Sequence, residues 1–404
     1  MKNENFVKRE RYINNIKKFI NKPVIKVIVG MRRSGKSVIL KLLVNDLLKN
    51  GINKKNILYI NKESLEFDNI KNYKDLYQYV KNYFYGVKGQ KYIFIDEVQD
   101  IEKWELAISS FFSESFGDII ITGSNAKLLS SELSSQLTGR IVEIPVYTLS
   151  FREFLEFRKD SDDIETEFKR YMKYGGLPAI HYLSLNDEVV FNYLNSVIDT
   201  VLYKDIIMRN RIRDVSILDK VIQYLFDNIG NITTAKKIAD YFKSQRIKVS
   251  VDTILNYIKY IESALLIKRV CRYNIKGKKI LEFYDKIFLN DIGLRNGLIG
   301  YREKDINGVI ENIVYNELRL RGYSIKIGTI DNIEIDFIAE KQNEKKYIQV
   351  CYLLENKKVV EREFKSLLKI NDNYEKLVIS MDKFFTEDID GIKHRYLIDF
   401  LMEK

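Results

Sequence analysis

The first third of the sequence predicts an α/β fold with a parallel sheet, on the strength of three short apolar runs. Residues 24–29 read VIKVIV, residues 92–95 read YIFI and residues 119–122 read IIIT. Short runs rich in β-branched and aromatic residues, bounded by polar residues or glycine, are typical of buried strands. Each run ends at glycine or polar residues, as expected where the carboxyl ends of parallel strands meet at one edge of a sheet.

The first run leads into residues 30–37, which read GMRRSGKS and precede a helical apolar pattern. Gly-x4-Gly-Lys-Ser between a strand and a helix is the context of a phosphate-binding loop. Gly30 and Gly35 allow close backbone approach, so that successive N–H groups point at a phosphate. Lys36 then reaches the β- and γ-phosphates, and Ser37 is a ligand for Mg²⁺. The predicted nucleotide-binding residues are Gly30, Met31, Arg32, Arg33, Ser34, Gly35, Lys36, Ser37 and Val38.

Two adjacent carboxylates, Asp96 and Glu97, follow the second run directly. An acid at the carboxyl end of a strand fits the second metal-holding position of nucleotide-hydrolysing enzymes. Because neighbouring side chains on a strand point to opposite faces, the two carboxylates take different roles. We predict that Asp96 holds Mg²⁺, mostly through water, and that Glu97 is the general base for the attacking water. The alternative, a solvated turn, fits the preceding apolar strand less well.

Three further polar residues are catalytic candidates. Ser124 and Asn125 follow the third run. We expect one of them to contact the γ-phosphate or the attacking water. The alternative is that this residue is the N-cap of the helix that follows. Arg140 precedes a fourth strand-like run, residues 141–144. Such an arginine reaches a neighbouring subunit's γ-phosphate in a ring, and the alternative is a salt bridge at the strand edge. The candidate catalytic residues are Lys36, Glu97, Ser124, Asn125 and Arg140, and the candidate metal ligands are Ser37 and Asp96.

Seven motifs together resemble a family of prokaryotic AAA+-type ATPases that carry a C-terminal domain of unknown function. They are GMRRSGKS, YIFIDEVQD, ITGSNAKLLS, LTGR, LSFREFL, YGGLPA and LYKDIIMRNRIRD, and they extend over the chain as far as Asp214. The resemblance, which covers nearly the whole chain, implies Mg²⁺-dependent binding and hydrolysis of ATP. It implies the phosphate loop at residues 30–37, the acidic pair at residues 96–97 and the sensor at residue 124 or 125. ATP is expected rather than GTP because no guanine-reading Asn-Lys-x-Asp pattern is suitably placed.

The remaining sequence divides into three predicted domains after an ATPase domain at residues 1–150. Residues 151–215 have helical patterns interrupted at a Gly-Gly pair, and we predict a lid. Residues 216–295 predict a winged helix, and residues 300–404 predict an α/β domain with the restriction-endonuclease-like fold. The alternative functions are an ATP-binding switch or scaffold without significant turnover, and an ATP-regulated nuclease.

The predicted winged helix has a helix opening at residues 233–234, a second helix capped by Ser250, and a hairpin with Gly277 at its turn. In helix-turn-helix proteins the second helix enters the major groove of DNA. Duplex DNA is therefore a candidate partner, although winged helices also bind proteins. The expected contacts come from Asp252, Asn256 and Lys259 to bases, and from Lys236, Lys237, Arg246, Lys248, Lys276, Lys278 and Lys279 to phosphates.

The tail has the layout of a nuclease of the restriction-endonuclease fold but lacks part of its site. Such a site uses a helix Glu, a strand Asp and a Glu-x-Lys on the next strand, with the acids holding Mg²⁺. Glu311 and Asp336 fit the first two positions, and Glu334 shares the strand face of Asp336. Gln349 and Cys351 stand at the Glu-x-Lys positions and supply neither a carboxylate nor an ammonium group. We predict a domain without nuclease activity that contacts a protein partner.

Composition limits the class of protein. The formal net charge is +11, which favours polyanionic partners but is not specific. Cys271 and Cys351 form no CxxC pattern, and His181 and His394 lack metal-site spacing, so no disulfide framework or zinc site is expected. No apolar run has the length of a membrane span or a signal sequence, which predicts a cytoplasmic protein without membrane contact. The sequence leaves open whether it is a monomer or a homo-oligomer.

Overall fold

A computed structural model of the protein describes residues 7–126, 137, 139–158, 163–331 and 333–403. The chain forms two compact units: Met1–Tyr147 with Ser263–Leu265, and Thr148–Glu262 with Leu266–Lys404. The helical pattern that follows Asn125 in the sequence lies outside the described residues.

Most helices are amphipathic, as in the helix Ala235–Ser244, where Ala235, Ile238 and Phe242 are buried at helical spacing. Within the described ranges, no helix combines the length and the hydropathy needed to cross a bilayer. The helices are α1 (Glu10–Lys17), α2 (Lys36–Lys49), α3 (Tyr73–Tyr83), α4 (Trp104–Ser113), α5 (Phe151–Phe157), α6 (Ile164–Tyr174), α7 (Asp187–Thr200), α8 (Val215–Asp227), α9 (Ala235–Ser244), α10 (Val251–Ser263), α11 (Ile292–Ile299), α12 (Ile306–Leu320), α13 (Lys357–Leu368) and α14 (Leu397–Met402).

The strands form two sheets, one in each unit. The first has the order β2-β3-β4-β1-β5, and the second has the order β13-β12-β11-β10-β9-β7-β8-β6. The strands are β1 (Ile25–Val29), β2 (Ile57–Asn61), β3 (Tyr92–Asp96), β4 (Asp118–Gly123), β5 (Ile141–Pro145), β6 (Ile232–Thr233), β7 (Ile267–Asn274), β8 (Lys279–Leu289), β9 (Ser324–Ile330), β10 (Ile333–Lys341), β11 (Glu344–Cys351), β12 (Glu375–Ser380) and β13 (Lys393–Tyr396).

The first sheet is parallel throughout and confirms the predicted α/β class. All five residues of β1 and of β3 are buried, and so are all six of β4, which explains their continuous apolar sequences. Strand β4 lies between β1 and β3, so the carboxyl ends of three neighbouring strands meet at one edge. That edge holds the loop after β1 and the acidic pair after β3.

The second sheet is mixed and extends across the predicted boundary near residue 300. Strands β7 and β8 form the predicted hairpin, and β7 also pairs in parallel with β9 of the tail. Ser250 accepts a hydrogen bond from the Thr253 N–H at 3.1 Å, as the cap prediction requires. The sequence did not predict β12, β13, α13 or α14. The four-domain division, the lid and the winged-helix assignment stay predictions.

Candidate active site

The loop between β1 and α2 is tightly folded against its surroundings. A Cβ atom at Gly30 would lie 2.2 Å from the carbonyl oxygen of Val146, so no side chain fits there. Gly35 has a φ of 98° and Arg33 a φ of 66°, both in the left-handed region. Alternation of right- and left-handed residues makes backbone N–H groups converge into a concave anion-binding nest. The two left-handed residues fit the predicted phosphate-binding role of this loop, which stays a prediction.

Lys36 lies between the loop and the acidic strand end. Its side chain is 3% exposed, and its Nζ donates hydrogen bonds to the carbonyl oxygens of Gly30 at 3.0 Å and Met31 at 3.1 Å. The same nitrogen is 3.5 Å from Oε1 of Glu97. The structure thus brings together the lysine and the carboxylate that the sequence assigned to phosphate binding and to proton abstraction.

Asp96 ends β3 and is held from both neighbouring strands. The Thr122 hydroxyl of β4 donates to Oδ1 of Asp96, and the Tyr59 hydroxyl of β2 donates to Oδ2 at 3.0 Å. Burial and then the Asp96 carboxylate raise the pKa of Tyr59, so its hydroxyl remains a donor. Because both donors lie on strands that flank β3, the sheet itself fixes the carboxylate.

Glu97 has a strained backbone that turns its side chain towards Lys36. Its φ is 55°, which few non-glycine residues adopt. The Glu97 N–H donates to the Thr122 hydroxyl oxygen at 3.0 Å, and the Gln99 amide donates to Oε2 of Glu97. Thr122 therefore connects the two members of the acidic pair. Strain of this kind is found where a side chain must be aimed precisely at a functional position.

The net electrostatic environment keeps Glu97 ionised. Burial acts to raise the pKa of Glu97, but Lys36, Gln99, Arg32 and Ser124 together hold it below the ordinary value for glutamate. Ser124 is fully buried, with its hydroxyl oxygen 3.4 Å from the Gln99 amide nitrogen. A carboxylate that is charged at neutral pH is available to accept a hydrogen bond from water.

Four other predicted residues lie around this group. Asn125 accepts a hydrogen bond from the Ser263 hydroxyl at 2.8 Å through its Oδ1. Ser37 lies in the first turn of α2 and is half-buried, and Val38 follows it on the same helix. Arg33 is exposed on the loop surface. The roles of these residues towards nucleotide stay predictions.

Arg140 lies at the amino-terminal end of the strands, whereas the phosphate loop lies at their carboxyl end. Its carbonyl accepts a hydrogen bond from the Ile25 N–H at 2.7 Å, at the start of β1, whereas the loop follows the end of β1. The five-residue strand separates the two by about 16 Å. The exposed guanidinium lies 5.5 Å from the ring of Phe112. The structure does not bring Arg140 to the site of its own chain, and a role towards a neighbouring subunit stays a prediction.

Several residues of this site were not predicted from the sequence: Tyr59, Glu63, Gln99 and Thr122. Thr122 is the last residue of the run IIIT, and Gln99 lies within the motif YIFIDEVQD. Each is a polar residue at or just after an apolar run, and this pattern could have marked both as candidates. Glu63 accepts a hydrogen bond from Arg32 at 2.9 Å, a contact between two loops. No local pattern indicates such a pairing.

Comparison with known proteins agrees with this geometry. Residues 22–155 match the family model of the AAA domain, and residues 165–305 match a domain of unknown function (DUF8612). An uncharacterized protein from Haemophilus influenzae is 37% identical over 400 residues, which cover 98% of this chain and 99% of the relative. The chain belongs to the AAA-domain family of P-loop ATPases. The predicted AAA+-type ATPase is thereby confirmed at the level of the family.

Two further similarities concern a relative over nearly the whole chain and the fold. An uncharacterized protein from Methanocaldococcus jannaschii is 30% identical over 416 residues, covering 97% of this chain and 90% of the relative. The solved structure of a Walker-type ATPase from Pyrococcus abyssi has a TM-score of 0.51 at 15% identity, covering 73% of this chain and 97% of that one. The second similarity concerns the fold alone. The restriction-endonuclease-like fold of the tail stays a prediction.

The second unit of the ATPase contains a different buried charge cluster, centred on Lys286 of β8. The Lys286 Nζ lies 2.8 Å from Glu311, 2.7 Å from Glu334 and 3.5 Å from Asp336. The structure therefore brings together the three acids that the sequence assigned to the tail. The lysine between them comes from the hairpin strand, which the sequence placed in another domain.

The pKa values of two acids in this cluster, Glu311 and Asp336, are raised above their ordinary values. Burial raises the pKa of Glu311 to about 8, against the opposing effect of Lys286. Burial also raises the pKa of Asp336, whose Oδ2 accepts a hydrogen bond from the Val350 N–H at 2.8 Å. At the neighbouring position, the Gln349 amide donates to a buried carboxylate, that of Glu363, at 3.1 Å. Gln349 thus acts as a hydrogen-bonding residue.

Proposed function

We propose that this ATPase hydrolyses ATP in a Mg²⁺-dependent reaction and couples the change of nucleotide state to a conformational change. The observation that carries the proposal is the position of Lys36, 3.5 Å from Glu97 and bonded to two carbonyls of the phosphate loop. A buried ammonium beside a nest of N–H groups suits a polyphosphate. A carboxylate beside it suits the activation of water.

The oxygen donors of this site fit Mg²⁺. Asp96 is an ionisable carboxylate whose position is fixed by Thr122 and Tyr59, and Ser37 supplies a hydroxyl at the start of α2. Hard oxygen ligands with room for retained water are what Mg²⁺ prefers. In such an enzyme the bound ion neutralises charge that develops on the phosphate oxygens. Asp96 and Ser37 are the residues that would hold it.

The protein's own residues bind the phosphates, activate the attacking water and hold the acidic pair in place. Lys36 neutralises charge on the β- and γ-phosphates, while the nest formed around Gly35 donates hydrogen bonds to phosphate oxygens. Glu97 accepts a hydrogen bond from the attacking water and draws off its proton as the bond to phosphorus forms. Gln99 and Ser124 orient Glu97 through the hydrogen bonds of its carboxylate. Thr122 keeps Asp96 and Glu97 in fixed relative positions.

Replacement of Glu97 by Gln tests this assignment. We expect the rate of phosphate release to fall at least about 100-fold, because the amide cannot accept the proton. The dissociation constant for Mg²⁺–ATP, measured by calorimetry, should change by less than about threefold, because the substitution preserves shape. If Glu97→Gln turns over ATP at the wild-type rate, Glu97 is not the base. If wild-type protein binds ATP without turnover, the chain is a switch or scaffold.

As a second part of the proposal, DNA is the partner on which nucleotide hydrolysis acts. Exposed basic residues on α9 and α10, between these helices and at the hairpin turn favour it, because counterion release from DNA phosphates drives such binding. Lys276 forms an ion pair with Asp331 at 2.7 Å. We therefore expect Lys278 and Lys279 to contribute more than Lys276 to DNA binding by the turn. The exposed residues are Lys236, Lys237, Arg246, Lys248, Lys259, Lys276, Lys278 and Lys279.

The salt dependence of duplex binding tests this part. We expect the double variant Lys278→Ala/Lys279→Ala to bind duplex DNA more weakly and to lower the slope of log K against log salt by about 0.9 per lost contact. The matched control is Lys54→Ala/Lys55→Ala, which removes two exposed charges from the first unit. Equal loss in both variants would show only a general charge effect. An unchanged slope would leave a protein as the partner of the hairpin.

We propose a binding or scaffold role for the tail, with a protein partner, in preference to DNA cleavage. The carboxylates of Glu311, Glu334 and Asp336 already surround the Lys286 ammonium. The expected result is that plasmid DNA stays intact with the ATPase and Mg²⁺. Cleavage that disappears in Asp336→Ala would instead establish an ATP-regulated nuclease.

A further inference from the structure

Arg9 is a buried arginine that joins three parts of the first unit. It is 4% exposed and immediately precedes α1. Its Nη1 donates to the carbonyl oxygens of Ser34 at 3.0 Å and Tyr147 at 2.8 Å, and its Nη2 lies 3.3 Å from the Tyr12 hydroxyl. A charged side chain is seldom fully buried unless it is hydrogen-bonded in this way. These hydrogen bonds therefore compensate the burial of the Arg9 charge.

The first of these contacts fixes a peptide group of the phosphate loop. The C=O and N–H of a trans peptide point in opposite directions, so holding the Ser34 carbonyl also directs the Gly35 N–H. We propose that Arg9 is a positioning residue of the phosphate loop, which presents the Gly35 N–H to a nucleotide phosphate. This inference rests on the proposed function, since it assumes that the loop binds ATP. The guanidinium charge also polarises the peptide and strengthens its N–H as a donor.

The loop's own groups hold other peptides: the Lys36 Nζ donates to the carbonyls of Gly30 and Met31, and the Ser34 N–H donates to the Met31 carbonyl at 3.2 Å. Gly35 has the left-handed φ of 98° and, without a side chain, has access to many other conformations. Among the described residues, the buried hydroxyl of Ser34 has no hydrogen-bond partner and so does not anchor the loop. The bond from Arg9 to the Ser34 carbonyl therefore restrains the peptide between these two residues directly.

The second contact provides a rigid reference point. The segment after β5 packs directly on the loop, since a Cβ at Gly30 would lie 2.2 Å from the Val146 carbonyl oxygen. The Tyr147 N–H donates to the Tyr12 hydroxyl at 3.2 Å, and the Arg9 guanidinium carbon lies 4.4 Å from the centre of the Tyr12 ring. Arg9 thus ties the loop to a segment that is itself bonded to α1.

Calorimetric titration with Mg²⁺–ATP, combined with steady-state hydrolysis, tests the role of Arg9. We expect Arg9→Met to raise the dissociation constant about tenfold, the effect of one lost charge-assisted hydrogen bond. The KM should rise in parallel, while kcat at saturating ATP stays within about twofold, because the loss lies in binding. The control is Arg11→Met, which removes an exposed arginine near the start of α1. Equal affinity in folded Arg9→Met and wild type would overturn the proposal.

Arg9→Lys keeps the buried charge and decides the question if the Met variant fails to fold. A lysine ammonium lacks the planar fork of arginine, so it holds one carbonyl less rigidly. We expect about threefold weaker ATP binding, and wild-type affinity in the Lys variant would also overturn the proposal. If the wild-type chain binds no ATP, the proposed function fails. If wild type binds ATP and both Arg9 variants bind equally well, the positioning role alone fails.

Discussion

Two buried lysines, one in each compact unit, differ in the number of carboxyl groups that lie close to their ammonium groups. Lys36 bonds to two carbonyl oxygens and has the Glu97 carboxylate at 3.5 Å, whereas Lys286 has three carboxylates within 3.5 Å. The pKa of Glu97 lies below its ordinary value, and that of Glu311 rises to about 8. The first lysine can accept a further anion, while the second already has three carboxyl groups around it.

The difference originates in the backbone that carries each lysine. Lys36 begins α2, where unpaired N–H groups and the helix dipole add positive potential. Lys286 lies within β8, where the backbone groups are taken up by pairing with β7 and β6. A buried lysine among acids is therefore not in itself a sign of a catalytic site. The balance of surrounding charge and the free donors beside it distinguish a ligand site from an internal ion cluster.

Replacing either lysine by methionine should give the largest effects, on the hydrolysis rate for Lys36 and on the stability for Lys286. Lys36→Met should lower the ATP hydrolysis rate at least about 100-fold, because a preorganised charge opposite the phosphates is lost. Lys286→Met should lower the free energy of unfolding by about 3–5 kcal/mol, because it leaves uncompensated buried carboxylates. Phosphate release and urea denaturation measure the two effects.

Exposed lysines on the same elements provide the controls. Lys49→Met on α2 and Lys279→Met on β8 remove the same charge without burial and should change neither quantity appreciably. A stable Lys286→Met protein would contradict the view that the lysine compensates the acids. An active Lys36→Met enzyme would contradict the assignment of the phosphate loop.

The opposite pKa shifts of the two sites predict a pH dependence of stability. Burial raises the pKa of Glu311 from 4.5 to about 8, so between these values the folded state keeps a proton that the unfolded chain releases. The free energy of unfolding therefore falls as the pH rises through this window, by at most about 1.4 kcal/mol per pH unit from this group. Glu311→Gln stays neutral and should flatten the dependence, as urea denaturation at several pH values will show.

The raised pKa of Asp336 contributes in the same direction, so the variant should retain part of the slope. Glu97, with its lowered pKa, acts in the opposite sense, because its contribution is lost as the pH falls below the ordinary glutamate range. Parallel curves for wild type and Glu311→Gln between pH 4.5 and 8 would mean that Glu311 is ionised in the folded protein.

The sequence predicted the parts of the active site that are local. The predicted phosphate loop occupies eight consecutive residues, 30–37, and the acidic pair ends one apolar strand, so composition and spacing were sufficient to propose both. Thr122 joins Asp96 to Glu97 only because β4 is inserted beside β3, and strand order depends on distant pairing. The sequence of β4 by itself shows a polar residue at a strand end, but not what it contacts.

Other contacts could not be read from the sequence because they join residues that are far apart in the chain. Arg9 precedes the residue it supports by 25 positions, and no periodicity connects the two. Lys286 reaches the acids of the tail because β7 of the hairpin pairs with β9, across a boundary predicted from sequence patterns. The sequence placed Arg140 just before the strand at residues 141–144, but only the sheet shows that the start of this strand and the phosphate loop lie at opposite ends of the sheet.

The smallest predicted effect concerns the charge balance of the active site itself. Arg32 lowers the pKa of Glu97, after the larger effects of Lys36 and Gln99 and against burial, and it donates a hydrogen bond to Glu63 at 2.9 Å. Arg32→Gln should move the acid limb of the pH profile of kcat/KM upwards, and Glu63→Gln should move it downwards by releasing the guanidinium charge. Each shift should be below about one pH unit, since Glu63 is partly exposed. Hydrolysis rates across pH measure both shifts, with exposed Glu66→Gln as the control. Shifts in the same direction would mean that Glu63 does not act on Glu97 through Arg32.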